Sequence, residues 1–271
     1  HIPKTIDNDL VINDHTPGFG SAAKFVAEAF MGANLETKAL EGIYLGIVMG
    51  RHAGFLTAAS ALGRKDQTEG PHLIYLPERP FSIDSFLSDV QKVYDQYGRC
   101  VIAISEGITD ENGMPIAAKL KENVTKDAHG NIELAGGELG DMLTKAIKDQ
   151  LKIGRVRADT FGYLQRSFPG TVSDTDQKEA RLAGQAAVKF SMMEDYQNGS
   201  VVIIRTKEYE IEYQLTELQN IAAKTKHMPE EFINQEGNNV TEAFIQYGLP
   251  LLGENFKKTT NIEAPLVNIS K

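Results

Sequence analysis

The sequence predicts an α/β fold of mostly parallel strands flanked by helices, a three-layer α/β/α arrangement, and three observations carry that expectation. Apolar runs rich in strand formers occur at Ile43 to Val48, Leu73 to Leu76 and Val101 to Ile104. Each ends in a polar tip: Met49-Gly50-Arg51, Pro77-Glu78 and Ser105-Glu106-Gly107. Helical patterns return at Gly54 to Leu62, Ile83 to Tyr97 and Gly140 to Ile153. Strands apolar along their whole length, alternating with helices, are what a parallel sheet buried on both faces requires.

Taken in order, the chain opens on PKTIDND, Pro3 to Asp9. Asp7 and Asp9 alternate with Ile6 and Asn8, so an extended backbone would turn both carboxylates to one face. A polar turn is the competing reading, because Asn and Asp hydrogen-bond their own backbone there. TPGFG at 16–20 reads as a turn. Phe19, Ala22, Ala23, Val26, Ala29 and Phe30 then recur at steps of three and four, the apolar stripe of a helix.

Further along, residues 110–137 lose periodicity and read as an exposed insertion with one short hairpin around His129-Gly130-Asn131. Arg157 to Gly162 is the next expected strand, running into Tyr163-Leu164-Gln165-Arg166. Asp174 to Met193 reads as a long helix capped by Ser173 or Asp174, with Ala180, Ala187, Val188 and Phe190 inward. Strict alternation marks Val201 to Ile204 and Tyr209 to Tyr213 as a hairpin. Short helices are expected around 218–223 and 240–247.

Composition excludes several classes. The 271 residues, 41% hydrophobic and 24% charged, match a globular chain of one large domain or two smaller ones. No apolar run approaches the ~20 residues of a membrane span. The single cysteine, Cys100, rules out a disulfide framework and fits a reducing cytoplasm, where it reads as a small buried hydrophobe. A net charge of -9 argues against a nucleic-acid surface. The histidines lack metal-ligand spacing, and no Walker-type phosphate loop occurs. Because the chain starts at His1, without Met, and reaches its most chemical motif at once, an upstream segment is expected.

The polar tips suggest chemistry. In a parallel sheet the C-terminal ends of the strands share one edge, where open α/β sheets bind ligands. Asp7, Asp9, Arg51, Glu106, Gln165 and Arg166 would therefore converge. Phosphoryl transfer asks for such a set: a base near the attacking hydroxyl, cations for spread negative charge, and positioning. Taken singly, Arg51 and Arg166 read equally well as surface ion-pair residues, and Glu106 as a carboxylate favoured by a helix dipole.

These residues together resemble the phosphofructokinase family, and within it the pyrophosphate-dependent branch. PKTIDND at 3–9, TPGFGSAAKF at 16–25, MGRHAGFLTAASAL at 49–62, PHLIYLPE at 71–78, SEG at 105–107 and FGYLQRSFPG at 161–170 follow the family's order. MPEEF at 228–232 and YGLPLLG at 247–253 resemble the pyrophosphate branch. The resemblance implies a transfer of a phosphoryl group from pyrophosphate to the C1 hydroxyl of fructose 6-phosphate, with Mg2+, in a homo-oligomer with no nucleic-acid or membrane partner. An ATP-dependent phosphofructokinase and a non-catalytic sugar-phosphate-binding subunit are the alternatives.

The resemblance also implies roles. Asp7 would be the base, Thr5 would stand beside the transferred group, Ile6 would line the substrate, and Asp9 would lie near the metal. Met49, Gly50 and Arg51 would hold the sugar phosphate and the reaction centre, Glu106 a sugar hydroxyl, and Tyr163, Leu164, Gln165 and Arg166 the 6-phosphate. Arg157 would reach the sugar phosphate of a neighbouring subunit. Lys4 argues for pyrophosphate, since ATP-using bacterial relatives usually carry glycine there, and it would stabilise the leaving group. The family's glycine-rich acidic donor segment is absent from this chain. Gly42 stands where bacterial ATP-using members carry a cross-subunit arginine, seven positions before Met49. The expected organisation is a remnant of the donor domain at 1–15, a mainly sugar-phosphate-binding domain at 16–165, and C-terminal helices and strands at 166–271.

Overall fold

The computed structural model describes residues 1–119, 137–193, 198–207 and 209–260. In chain order they form α1 (Phe19–Leu40), β1 (Gly42–Val48), α2 (Phe55–Ala59), β2 (Leu73–Tyr75), α3 (Ile83–Tyr97), β3 (Arg99–Ser105) and α4 (Ile116–Lys119). There follow α5 (Glu138–Leu151), β4 (Val156–Thr160), α6 (Leu164–Ser167), α7 (Asp174–Ser191), β5 (Ser200–Arg205), β6 (Ile211–Thr216) and α8 (Glu242–Gly248). The expected strands and long helices are present to within a few residues. The hairpin foreseen around His129 lies outside the described residues, and α4 gives part of the foreseen insertion regular structure.

β2, β3, β1 and β4, in that order, make one sheet whose neighbours are all parallel. The side-chain alternation of its strands divides the core in two. Ile43, Leu45 and Ile47 of β1, with Cys100, Ile102 and Ile104 of β3, face α3 and α5. Val48, Val101 and Ala103 face α1 and α2, where Phe19, Val26 and Phe30 are fully buried. Helices on both faces explain why these strands are apolar throughout.

β5 and β6 form the expected antiparallel hairpin, a separate two-stranded sheet packed against α7. α7 departs from expectation, since its buried residues are Asp176, Glu179 and Ala183, while Val188 is 61% exposed and Ala180 also faces outward. The reason is polar. Asp176 accepts hydrogen bonds from the Gly18 N–H (2.8 Å), the Ser21 N–H (3.0 Å) and the Ser21 hydroxyl (2.5 Å), capping α1 from outside that helix. Glu179 meets the ring of His15 (Oε2 to Nε2, 2.6 Å) and accepts from the Tyr209 hydroxyl (2.7 Å). Ser173 caps α7 itself, its Oγ accepting from the Asp176 N–H at 3.2 Å.

Candidate active site

Three strand ends and one loop build the site. The parallel register sets Val48 opposite Ser105 and Ile47 opposite Thr160, so β1, β3 and β4 finish at one level. Their tips then lock together. The Ser105 hydroxyl donates to the Gly50 carbonyl (2.6 Å) and accepts from the Gly107 N–H (3.1 Å), while the Glu106 N–H donates to the Val48 carbonyl (2.9 Å). Gly107 must be glycine: a Cβ there would stand 2.2 Å from the Arg51 carbonyl oxygen.

From the third tip, the buried Gln165 reaches back to β1. Its side-chain oxygen accepts from the Met49 N–H (3.2 Å) and its amide donates to the Gly162 carbonyl (3.0 Å). Its polar groups thus tie two tips together. Tyr163, Leu164 and Arg166 are exposed around it, and the Arg166 guanidinium lies 4.4 Å over the Tyr163 ring. Arg157 is exposed on β4, an outer strand of the sheet.

The loop from Lys4 to Asp9 lies over these tips. It is not an extended strand: Asn8 takes a left-handed φ of 59° and is fully buried. The same-face argument for Asp7 and Asp9 therefore fails at its premise, because a left-handed residue between them breaks the two-residue alternation. Thr5 shapes the turn, its Oγ1 accepting from the Asp7 N–H (3.1 Å) and its carbonyl accepting from the Thr16 hydroxyl (2.9 Å). Ile6 is half-buried against the core, and Lys4 is exposed.

Electrostatics join the pieces. Burial, reinforced by Asp9, lifts the Asp7 carboxyl to about 6 against the opposing pull of Arg51 and Arg166. One of its oxygens, Oδ1, is buried without a hydrogen-bond partner. Burial also pushes Glu106 up, with Asp7 adding to the effect and the Gly50 N–H and Arg51 opposing it. A carboxyl raised to about 6, beside two guanidiniums, can exchange a proton with a bound hydroxyl while the cations fix an anion.

No group of three or more potential metal ligands occurs among the described residues. A magnesium ion nevertheless fits the partly buried carboxylate of Asp9, because that ion is commonly held by one or two carboxylates together with substrate phosphates and water.

Sequence reasoning singled out the strand-end residues but missed those that brace them. Glu78 accepts from the Gly54 N–H (2.8 Å) and the Met228 N–H (3.1 Å), holding the segment after Arg51. Lys226 and Tyr247 hold the loop after Asp7. Their only sequence signal is that Lys226 lies two positions before the MPEEF block and Tyr247 opens the YGLPLLG block.

A parallel α/β sheet whose strand ends gather carboxylates and guanidiniums places the chain in the class of open α/β proteins with a polar ligand-binding edge. More particularly, the chain belongs to the phosphofructokinase family, whose model, described as Phosphofructokinase, matches residues 1–191. It is 61% identical over 254 residues to a pyrophosphate–fructose 6-phosphate 1-phosphotransferase of Rhodospirillum rubrum, covering 93% of this chain and 63% of that protein. A protein of the same description from Halomonas elongata is 34% identical, with 96% and 62% covered. The crystal structure of a pyrophosphate-dependent phosphofructokinase from Marinobacter aquaeolei superposes with a TM-score of 0.77 at 29% identity, covering 98% of this chain and 66% of that one. The chain thus spans slightly less than two thirds of the length of these relatives. Among the described residues no helix is long and apolar enough to cross a membrane.

Proposed function

We propose that the protein carrying this chain transfers a phosphoryl group from pyrophosphate to the C1 hydroxyl of fructose 6-phosphate, reversibly, giving fructose 1,6-bisphosphate and phosphate. One observation carries the reading: at the strand ends the Asp7 carboxyl, one oxygen of which is buried without a hydrogen-bond partner, feels the charges of Asp9, Arg51 and Arg166, and burial lifts it to about 6. The C1 oxygen attacks one phosphorus of pyrophosphate, the bridging P–O bond breaks, and the hydroxyl proton passes to Asp7. In the reverse direction the protonated Asp7 returns it. A carboxyl titrating near 6 serves both directions, since an acid-base catalyst works best close to the operating pH.

Arg51 and Arg166 spread the charge of the sugar phosphate and the transferred group in this reading. Glu106 accepts from a sugar hydroxyl, Tyr163, Leu164 and Gln165 frame the 6-phosphate, and Met49, Gly50, Thr5 and Ile6 line the reacting atoms. Lys4, exposed at the donor side, neutralises a leaving group that has no ribose or adenine to anchor it. A magnesium ion held by Asp9 together with the donor phosphates would shield their charge, leaving Asp7 to take the proton. Residues 1–15 would belong to the donor domain, 16–165 mainly to the sugar-phosphate domain and 166–271 to a segment packing on both.

Arg157, exposed on an outer strand, is available to a second subunit, which supports a homo-oligomer. The fully buried Cys100, its thiol pushed up by burial, fits a reducing cytoplasm. Assaying the full-length protein with fructose 6-phosphate and either pyrophosphate or ATP tests the proposal. Turnover with pyrophosphate is expected; turnover with ATP alone rejects the donor, and sugar-phosphate binding without turnover indicates a regulatory subunit.

A further inference from the structure

The loop that carries Asp7 and Asp9 turns back through Asn13 and Asp14 before α1, and one distant lysine holds it. Lys226 lies in the stretch between β6 and α8, whose neighbour Thr225 bridges to Leu10. Its backbone N–H donates to the Asp9 carbonyl at 2.7 Å. Its ammonium donates to the carbonyls of Asn13 (2.9 Å) and Asp14 (2.8 Å) and stands 3.5 Å from the Asn8 side-chain oxygen. It also lies 4.9 Å over the Phe55 ring. An ammonium has three donors, and these partners absorb all three within the protein. This lysine is therefore occupied with backbone rather than open to a ligand.

Tyr247 completes the grip. Its hydroxyl accepts from the Asn8 amide (2.8 Å) and donates to the Asp14 carbonyl (2.7 Å). Asn8 is thus held at both ends of its side chain, in the left-handed conformation that separates Asp7 from Asp9. Asparagine is among the few non-glycine residues that visit that conformation, and here the polar atoms of its side chain are tied to Tyr247 and Lys226 rather than to its own backbone.

We propose that Lys226 is a positioning residue, which fixes the relative placement of the Asp7 and Asp9 carboxylates by clamping the loop between them and α1. The inference rests on the phosphoryl-transfer reading, and it concerns the loop's geometry rather than any contact with substrate. Burial lowers the Lys226 ammonium to about 8, in keeping with a cation withdrawn from water for this purpose.

The test uses the full-length protein and Lys226→Met, which keeps the chain's length and loses its donors. Because misplacement by about 1 Å can cost about a hundredfold in rate, kcat is expected to fall ten- to a hundredfold while the KM for fructose 6-phosphate changes less than about threefold. Lys226→Cys alkylated with 2-bromoethylamine restores an ammonium at nearly the same reach, and kcat is expected to recover; the fully buried Cys100 is shielded from the reagent. A kcat within twofold of wild type in Lys226→Met, or a loss that alkylation leaves unchanged, overturns the proposal. Should that variant fail to fold, Tyr247→Phe carries the same kcat-against-KM criterion. Hydrogen exchange at residues 9–15 separates this inference from the functional reading. If the wild type turns over neither donor, the reading fails, yet a tenfold faster exchange confined to that loop in Lys226→Met still supports the clamp, and unchanged exchange overturns it.

Discussion

The backbone N–H of Met49 donates to the side-chain oxygen of Gln165 across 116 residues of sequence. Through this bond the end of β4 holds the end of β1, so Gln165 acts on the site by geometry. Gln165→Leu is expected to raise the KM for fructose 6-phosphate about tenfold and to cost about 1 kcal/mol in denaturant unfolding, since it leaves the part-buried Met49 N–H without its acceptor. Gln165→Glu keeps an acceptor for Met49 but sets a buried carboxylate against the Gly162 carbonyl and the proposed 6-phosphate, so its KM is expected to rise at least as far.

Asp7→Asn separates chemistry from stability. Turnover is expected to fall by orders of magnitude with little change in sugar-phosphate affinity, because a base acts mainly in the transition state. Folded Asp7 holds its proton up to about 6 rather than the ordinary 3.8, so wild-type stability declines as pH rises through that window. At pH 7 the asparagine variant is expected to be more stable, by up to roughly 3 kcal/mol. In the wild type, kcat/KM is expected to fall on the acid side with a midpoint near 6. A flat profile down to pH 5 would remove Asp7 from the role of base.

His15 is buried between the carboxylates of Asp14 (2.7 Å) and Glu179 (2.6 Å). Burial opposes its charge, but the two carboxylates outweigh burial and raise its proton affinity above the ordinary 6.5. The imidazolium's contribution is therefore complete below about pH 6.5 and is lost as pH climbs through the raised folded value. Glu179→Gln is expected to cost about 3–5 kcal/mol near pH 6 and to flatten the fall in Tm above pH 6.5. An unchanged slope would show that His15 does not titrate in this window.

Gly42 has a φ of 90°, and a Cβ there would lie 2.6 Å from the Arg155 carbonyl oxygen. An arginine at this position cannot enter this backbone without moving β1 or Arg155. Gly42→Arg is expected to lower stability by at least about 2 kcal/mol and to leave the KM for fructose 6-phosphate no lower. A stable variant that binds the sugar phosphate more tightly would contradict the steric argument.

Much of the sheet was legible in the sequence, because a parallel strand buried on both faces writes itself as an unbroken apolar run. Ile83 to Tyr97 could be read to the residue, because Ser82 caps its start and Gly98 ends it in a left-handed conformation. α7 misled the reading of its inner face. Asp176 and Glu179 look like solvent-facing charge until the third dimension supplies Gly18, Ser21, His15 and Tyr209 as partners. The loop at Asp7 misled in a related way, since alternation of residue types says nothing of the left-handed turn at Asn8. That turn depends on Lys226 and Tyr247, both more than 200 positions away.

The level finish of β1, β3 and β4 bears on how the protein is assembled as well as on what it binds. Each strand advances about 3.3 Å per residue and presents alternate side chains to opposite faces. A slip of one position between β1 and β3 would withdraw Glu106 from Arg51 and turn the tip inside out. Catalytic competence is then a proofreading signal: a population that has regained helix and compactness but mispaired one strand would be silent, so recovered turnover counts only correctly registered molecules.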